Sequence, residues 1–252
     1  MPDKLNILFA GETCFYTSTE FKGLDQFSET FYAESGQMMR KLFTDLGHDF
    51  THVFCHRVPL DFPQTLEALQ AFDVILFSDI GANTLLLPPN TARLHKRSPN
   101  PLKLVQEYVQ NGGGFGMIGG YMTFMGFEAK GHYKGTVIED ILPVNLLTYD
   151  DRVETPEGTD IVCAPDSHPI LKGIPAEWPY ILGYNRLIAK DGATVVVQHD
   201  VDPIVSVWEY GKGRTMAYAT DCTPHWAPAS INQWENYPTL WNNIVHWLAK
   251  RS

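Results

Sequence analysis

GGGFGMIGGYMTF, residues 112–124, sets three glycines before a short apolar run, Phe115 to Ile118, and two more directly after it. Glycine loses more conformational freedom on folding than any other residue, so this density makes sense where the backbone turns sharply or is approached closely. The run reads as a buried strand, preceded by a helix from Leu102 to Val109 that NGGG breaks. Open α/β sheets bind ligands outside the carboxyl ends of their strands. Gly119, Gly120 and Tyr121 therefore fall where a substrate-binding edge is expected.

Working outward, KLNILFAG from Lys4 to Gly11 is another continuous apolar run, suited to a central parallel strand covered on both faces. A loop is expected next, then a first crossover helix from Phe27 to Leu46, where Phe31, Met38, Met39, Leu42, Phe43 and Leu46 recur at helical spacing and Gly47 ends the element. Asp49 to Cys55 reads as a strand, Pro63 to Phe72 as a short helix, and Asp73 to Ser78 as a buried strand. Gly81 to Pro101, with four prolines, is a surface excursion. This alternation predicts a doubly wound parallel sheet. From Thr136 onward short strands and tight turns predict an antiparallel β extension, including a hairpin around Gly211-Lys212-Gly213. A closing helix over Tyr237 to Lys250 packs on the sheet, and with no repeat or linker the chain reads as one domain.

The 252 residues are 44% hydrophobic and 19% charged, with a net charge of −10. That balance disfavours capture of nucleic acid or an anionic membrane and leaves a small-molecule ligand as the expected partner. No stretch reaches the roughly 20 apolar residues of a membrane span, and MPDKLNILFAGE lacks the features of a signal peptide, so a cytoplasmic protein is expected. Cys14, Cys55, Cys163 and Cys222 are far apart without a CxxC and read as free thiols. No metal or cofactor is expected: His48, His52 and His56 are spaced by four, but on a strand that separates them by roughly 13 Å. Glu12 and Asp79, each directly after a predicted strand, project to the same carboxyl edge and could join an acid–base or metal set, or simply be polar loop ends.

Four segments resemble the class I glutamine amidotransferase-like superfamily, in its subgroup of unassigned function: GGGFGMIGGYMTFMG, SHPILKGIP from Ser167, WEYGKGRTMAYATDCTPHWAP from Trp208, and the terminal YPTLWNNIVHWL. The resemblance implies a flavodoxin-like doubly wound sheet. It also implies a nucleophilic cysteine in the turn after the central strand, and here that position falls on Gly119 or Gly120, so glutaminase chemistry by the family's route is lost. His225 matches the family's base, Ala227 replaces the glutamate that should follow it, and Asp221 is the candidate to orient the imidazole instead. Cys222, three residues from His225, is an alternative nucleophile weighed against a buried inert thiol, and Cys14 is weighed the same way.

SHPILKGIP also resembles trehalose-utilisation-like relatives, which implies a sugar-related molecule. The expected function is action on, or binding of, a small polar molecule at a cleft formed by Gly119 to Tyr121 and His225. The alternative is a non-catalytic ligand-binding or assembly module. YMTFMGF, Tyr121 to Phe127, is apolar enough to need covering, either by another subunit of a homo-oligomer or by the antiparallel extension.

Overall fold

Continuous apolar runs fold as strands buried on both faces, and three of them, KLNILFAG, DVILFS and GFGMI, build the centre of the protein. The computed structural model describes residues 3–164 and 166–251. Its strands are β1 (Asn6–Gly11), β2 (Thr13–Lys22), β3 (Asp25–Glu34), β4 (Asp49–Val53), β5 (Val74–Ser78), β6 (Gly114–Ile118), β7 (Val144–Asn145), β8 (Arg152–Thr159), β9 (Val162–Cys163), β10 (Ile181–Asn185), β11 (Ile188–Ala189), β12 (Thr194–His199), β13 (Asp202–Tyr210) and β14 (Gly213–Tyr218). Eight form one sheet in the order β4-β1-β5-β6-β14-β13-β12-β9. The first five are mutually parallel, and β13, β12 and β9 continue antiparallel, as the change of pattern after Thr136 predicts.

Every residue of β5 and β6 is buried. Phe77 meets Phe115 edge to face across the paired strands at 5.2 Å. The helices Pro101–Gln110 and Tyr237–Leu248 supply the cover, the latter through Leu240, Trp241, Ile244 and Leu248. Asn100 caps the former by accepting from the amides of Leu102 and Lys103.

Two sequence expectations change. The helix expected over Phe27 to Leu46 exists only as Gln37–Asp45, burying Met39 and Phe43. The residues before it pair with Thr13–Lys22 as a ten-residue antiparallel hairpin, closed by a two-residue turn with Gly23 at φ +68°. Phe27 and Phe31 fit a helical period, but Thr, Ser and aromatic residues alternating along both arms favour extended chain, and pairing decided the contest. The short helix expected over Pro63 to Phe72 shrinks to Leu66–Leu69, capped by Thr65. No helix among the described residues is long and apolar enough to cross a membrane.

Candidate functional site

β1, β5, β6 and β14 lie side by side and parallel, so the segments that follow them emerge at one edge. Glu12 follows β1, Asp79 follows β5, Gly119 to Tyr121 follow β6, and Asp221 to His225 follow β14. Strand order reverses between β1 and β5, the switch point where open sheets leave a crevice. There a cleft of about 410 Å³ is lined by Glu12, Thr13, Cys14, Tyr16, Ser35, Asp79, Tyr121, Asp221, Thr223, Pro224 and His225. A larger depression of about 530 Å³, between Ser167 to Lys172 and the last helix, mixes Asp3 and Asp166 with Lys172 and Arg251 and has no comparable convergence of carboxylates.

Glu12 and Asp79 both hold left-handed backbone, φ +54° and +43°, which costs a non-glycine residue roughly 1 kcal/mol or more. The turn aims each carboxylate across the strand ends. Glu12 is 5% exposed; Ser78 Oγ donates to its Oε1, and Thr223 Oγ1 to its Oε2 at 2.9 Å. Burial, reinforced by Asp221 and Asp79, holds its carboxyl well above the usual range. Asp79 accepts from the Met122 amide at 2.7 Å; burial and the nearby Asp221 push it up to about 6. Burial and mutual repulsion thus favour the protonated form of both carboxyls in the cleft.

His225 stands at the rim, edge-on to Tyr121 at 4.4 Å and stacked on Trp226 at 5.2 Å. Its Nδ1 lies 3.7 Å from Asp221 Oδ2, an ion-pair contact longer than a hydrogen bond. That carboxylate raises the imidazole above its ordinary range. Asp221 is fixed in turn, accepting from the Thr223 amide at 2.9 Å.

Gly119 and Gly120, expected to bind substrate, are buried and do not line the cleft. A Cβ on Gly119 would stand 2.2 Å from the Ala219 carbonyl oxygen, and one on Gly120, φ +151°, 2.8 Å from Asp79 Oδ1. Both glycines are spacers that let β14 and Asp79 come close. Gly120 is held through its amide by Asn185 Oδ1 at 3.0 Å, while Asn185 Nδ2 donates to Asp151 Oδ1 at 2.7 Å. Asp151 also accepts from the amides of Met125 and Gly126, pinning the loop after β6. That loop is covered by this chain's own residues: Arg152 lies over Tyr121 and Phe127 at 4.7 and 4.2 Å. Glu154 accepts from Tyr121 Oη and Trp226 Nε1 at 3.0 and 2.9 Å.

Asn185, Asp151, Glu154 and Thr223 carried no sequence signal, because each acts through partners distant in the chain. Cys222 is fully buried, its thiol held well above its usual range by burial, and it does not line the cleft. Its burial is that of the buried-thiol reading. Glu12, Asp221 and Cys222 bring one potential ligand atom each within 4.8 Å of one another. With both Glu12 oxygens hydrogen-bonded and the thiol protonated, the trio behaves as a hydrogen-bonded core cluster. Cys14 lines the cleft and is exposed.

Comparison with known proteins bears on the family and the fold. No match was found among curated proteins. Cytoplasmic Protein STM3548 from Salmonella typhimurium shares 40% identity over 97% of this chain and 99% of its own, at a TM-score of 0.93. Cytoplasmic Protein STM1381 from Salmonella typhimurium LT2 gives the same values. A protein from Parabacteroides merdae called "Putative thua-like protein" is similar in fold, at 12% identity, 98% and 90% coverage and a TM-score of 0.59. The model of the GATase1_like family, described as "Putative glutamine amidotransferase", matches residues 6–250, and the chain belongs to that family.

Proposed function

We propose that the protein is an amidotransferase-like enzyme without glutaminase activity, which acts on a small, neutral, polyhydroxylated molecule in the cleft. The observation that carries this reading is the convergence of His225 with Glu12, Asp79 and Asp221 around about 410 Å³ of open volume, a size suited to a small ligand. The order of the five parallel strands, with the crevice beside the first, is that of flavodoxin-like sheets. No Lys or Arg is among the described lining residues, which leaves His225 as the one basic side chain among them and disfavours phosphorylated or carboxylated ligands. Tyr16, more than half exposed at the cleft, offers apolar surface to the C–H side of a sugar-like ring, and the carboxyls accept from its hydroxyls.

In this reading His225, supported by Asp221, takes a proton, and Asp79 or Glu12 returns one from the opposite wall. Steric grounds join the chemical one against glutamine hydrolysis by the family's route, because a Cβ at Gly119 or Gly120 would meet the Ala219 carbonyl or Asp79 at under 3 Å. The Salmonella relatives called cytoplasmic support a cytoplasmic setting.

The test has two parts. Coupled measurement of ammonia from L-glutamine should show none; release that disappears in Cys222→Ser overturns the reading. A thermal-shift screen against neutral sugars and polyols should give a stabilising compound whose effect is lost in His225→Ala. That variant should itself cost under about 1 kcal/mol, whereas Trp247→Ala, 5% exposed on the terminal helix, should cost roughly 3 to 5 kcal/mol and keep the ligand response. Anionic ligands that bind equally well in His225→Ala would place binding elsewhere.

A further inference from the structure

We propose that His52 is a positioning residue for the cleft, the group that holds Glu12 in its left-handed turn and so keeps its carboxyl among the other acids; the assignment rests on the acid role given to Glu12 above. Glu12, at φ +54°, directly follows Gly11 at φ +126°. Successive residues in sparsely populated backbone regions persist only where their surroundings over-determine them. On one side the turn is pressed by β5, since a Cβ on Gly11 would stand 1.7 Å from the Ser78 carbonyl oxygen. His52, on β4 next to β1, closes the other side.

Both carbonyls of the turn are held. His52 Nε2 lies 2.8 Å from the Gly11 carbonyl oxygen, and the Gly36 amide donates to the Glu12 carbonyl at 3.1 Å. A carbonyl only accepts, so Nε2 carries a proton and donates it. Arg40 Nη2, which only donates, lies 3.2 Å from Nδ1, so that nitrogen offers its lone pair. The two contacts call for the same species, a neutral imidazole protonated on Nε2. Burial and the Arg40 charge lower the basicity of the ring and keep it in that form.

The ring has no room to turn away. Its side chain is 1% exposed and stands edge-on to Phe9 and Phe54 at 5.3 and 4.7 Å. Gly36 is the spacer that admits it: a Cβ there would come 2.4 Å from His52 Cε1 and 3.1 Å from the Glu12 Cβ. Arg40 is fixed in turn by Glu34 at 2.7 Å, the last residue of the β2–β3 arm. A polar chain thus runs from the base of the arm through Arg40 and His52 to the turn that carries Glu12. His48, four residues earlier, is a useful contrast: the Leu5 amide at 3.2 Å and Asn242 at 3.1 Å fix it, and neither lines the cleft.

Carboxyl-carbon NMR of glutamate-labelled protein tests this, Glu12 being the resonance lost in Glu12→Gln. In the natural chain Glu12 should titrate well above the ordinary carboxylate range. His52→Gln puts an amide donor where Nε2 stood and an acceptor toward Arg40, and should keep that midpoint. His52→Phe, which suits the aromatic surroundings but donates nothing, and His52→Asn, too short to reach Gly11, should each lower it by about 1 pH unit or more as the carboxyl gains access to water. A midpoint unchanged in both variants overturns the proposal, because a merely structural histidine would alter the melting temperature and leave Glu12 alone. So does a His52→Gln midpoint that falls as far as that of His52→Phe. Imidazole-nitrogen NMR of the natural chain needs no variant to fold: near neutral pH it should find His52 protonated on Nε2 only, and the opposite tautomer or a charged ring overturns the proposal. None of these readouts involves a ligand, so they separate failure of this assignment from failure of the sugar screen.

Discussion

The β2–β3 arm and the β6 strand with its turn are both extended chain at the same carboxyl edge, and they are opposites in composition. β6 has two glycines among its five residues and none of them reaches water. The arm is rich in phenylalanine, tyrosine and threonine and leaves nearly all of it exposed. Side-chain bulk is therefore not what places a strand inside. β6 is central because β5 and β14 pair with it on either side, and its glycines make room for Leu76, Met216 and Leu248 packed over it. The arm is peripheral because it follows Glu12, whose left-handed turn directs the chain away from the sheet. The cleft lies between the two, one wall built on the rigid centre and the other on the projecting arm.

The largest expected effect is at the rigid end of this contrast. Gly119→Ala forces a Cβ to within 2.2 Å of the Ala219 carbonyl and 2.8 Å of Asn185 Oδ1, and the first of these is backbone that also belongs to the sheet edge. A loss of about 3 kcal/mol or more is expected in denaturant unfolding. A loss below about 1 kcal/mol would mean that the turn after β6 yields as easily as the arm, and the contrast would collapse.

Asp79 gives an intermediate effect with a definite sign. Its folded pKa of about 6 lies above its unfolded value, so the folded state binds the proton more tightly. Stability from this group therefore falls as pH rises from about 4 through about 6. Asp79→Asn keeps an acceptor for the Met122 amide and removes the buried charge, so at pH 8 the variant should be more stable than the natural chain by about 1 to 2 kcal/mol. At pH 4 the two should melt together. A variant equally displaced at both pH values would show that Asp79 acts through packing.

The smallest effect is expected on the arm. Phe27→Ser, 39% exposed on the charged face, should change stability by less than about 0.5 kcal/mol. Hydrogen exchange sharpens the comparison further: β6 amides should exchange only by global unfolding, and arm amides rapidly in dilute protein.

Much of this molecule is legible in its sequence. KLNILFAG, DVILFS and GFGMI announce buried parallel strands because a strand covered on both faces needs no polar alternation. Once those strands are placed, Glu12, Asp79, Tyr121 and the Asp221–His225 segment follow as edge residues, since an element's carboxyl end is fixed by where its apolar run stops. That glycines, Gly119 and Gly120, stand in the turn where the family resemblance implies a cysteine can also be read directly.

Tertiary structure alone decided the rest, for identifiable reasons. Phe27 and Phe31 satisfy a period of 2 and a turn of helix equally well, and only pairing with β2 settled their conformation. Whether Gly119 and Gly120 face a ligand or make room for a neighbour depended on Ala219 and Asp79, which no local pattern connects to them. The charge state of the cleft rests on the burial of Glu12 beside Asp221 and Asp79, opposed by the hydrogen bonds of Ser78 and Thr223, which reach it across 66 and 211 residues of chain. Local pattern specifies which segments are buried. Which polar groups meet, and hence which protons the cleft can hold, is set by the packing of strands that sequence places far apart.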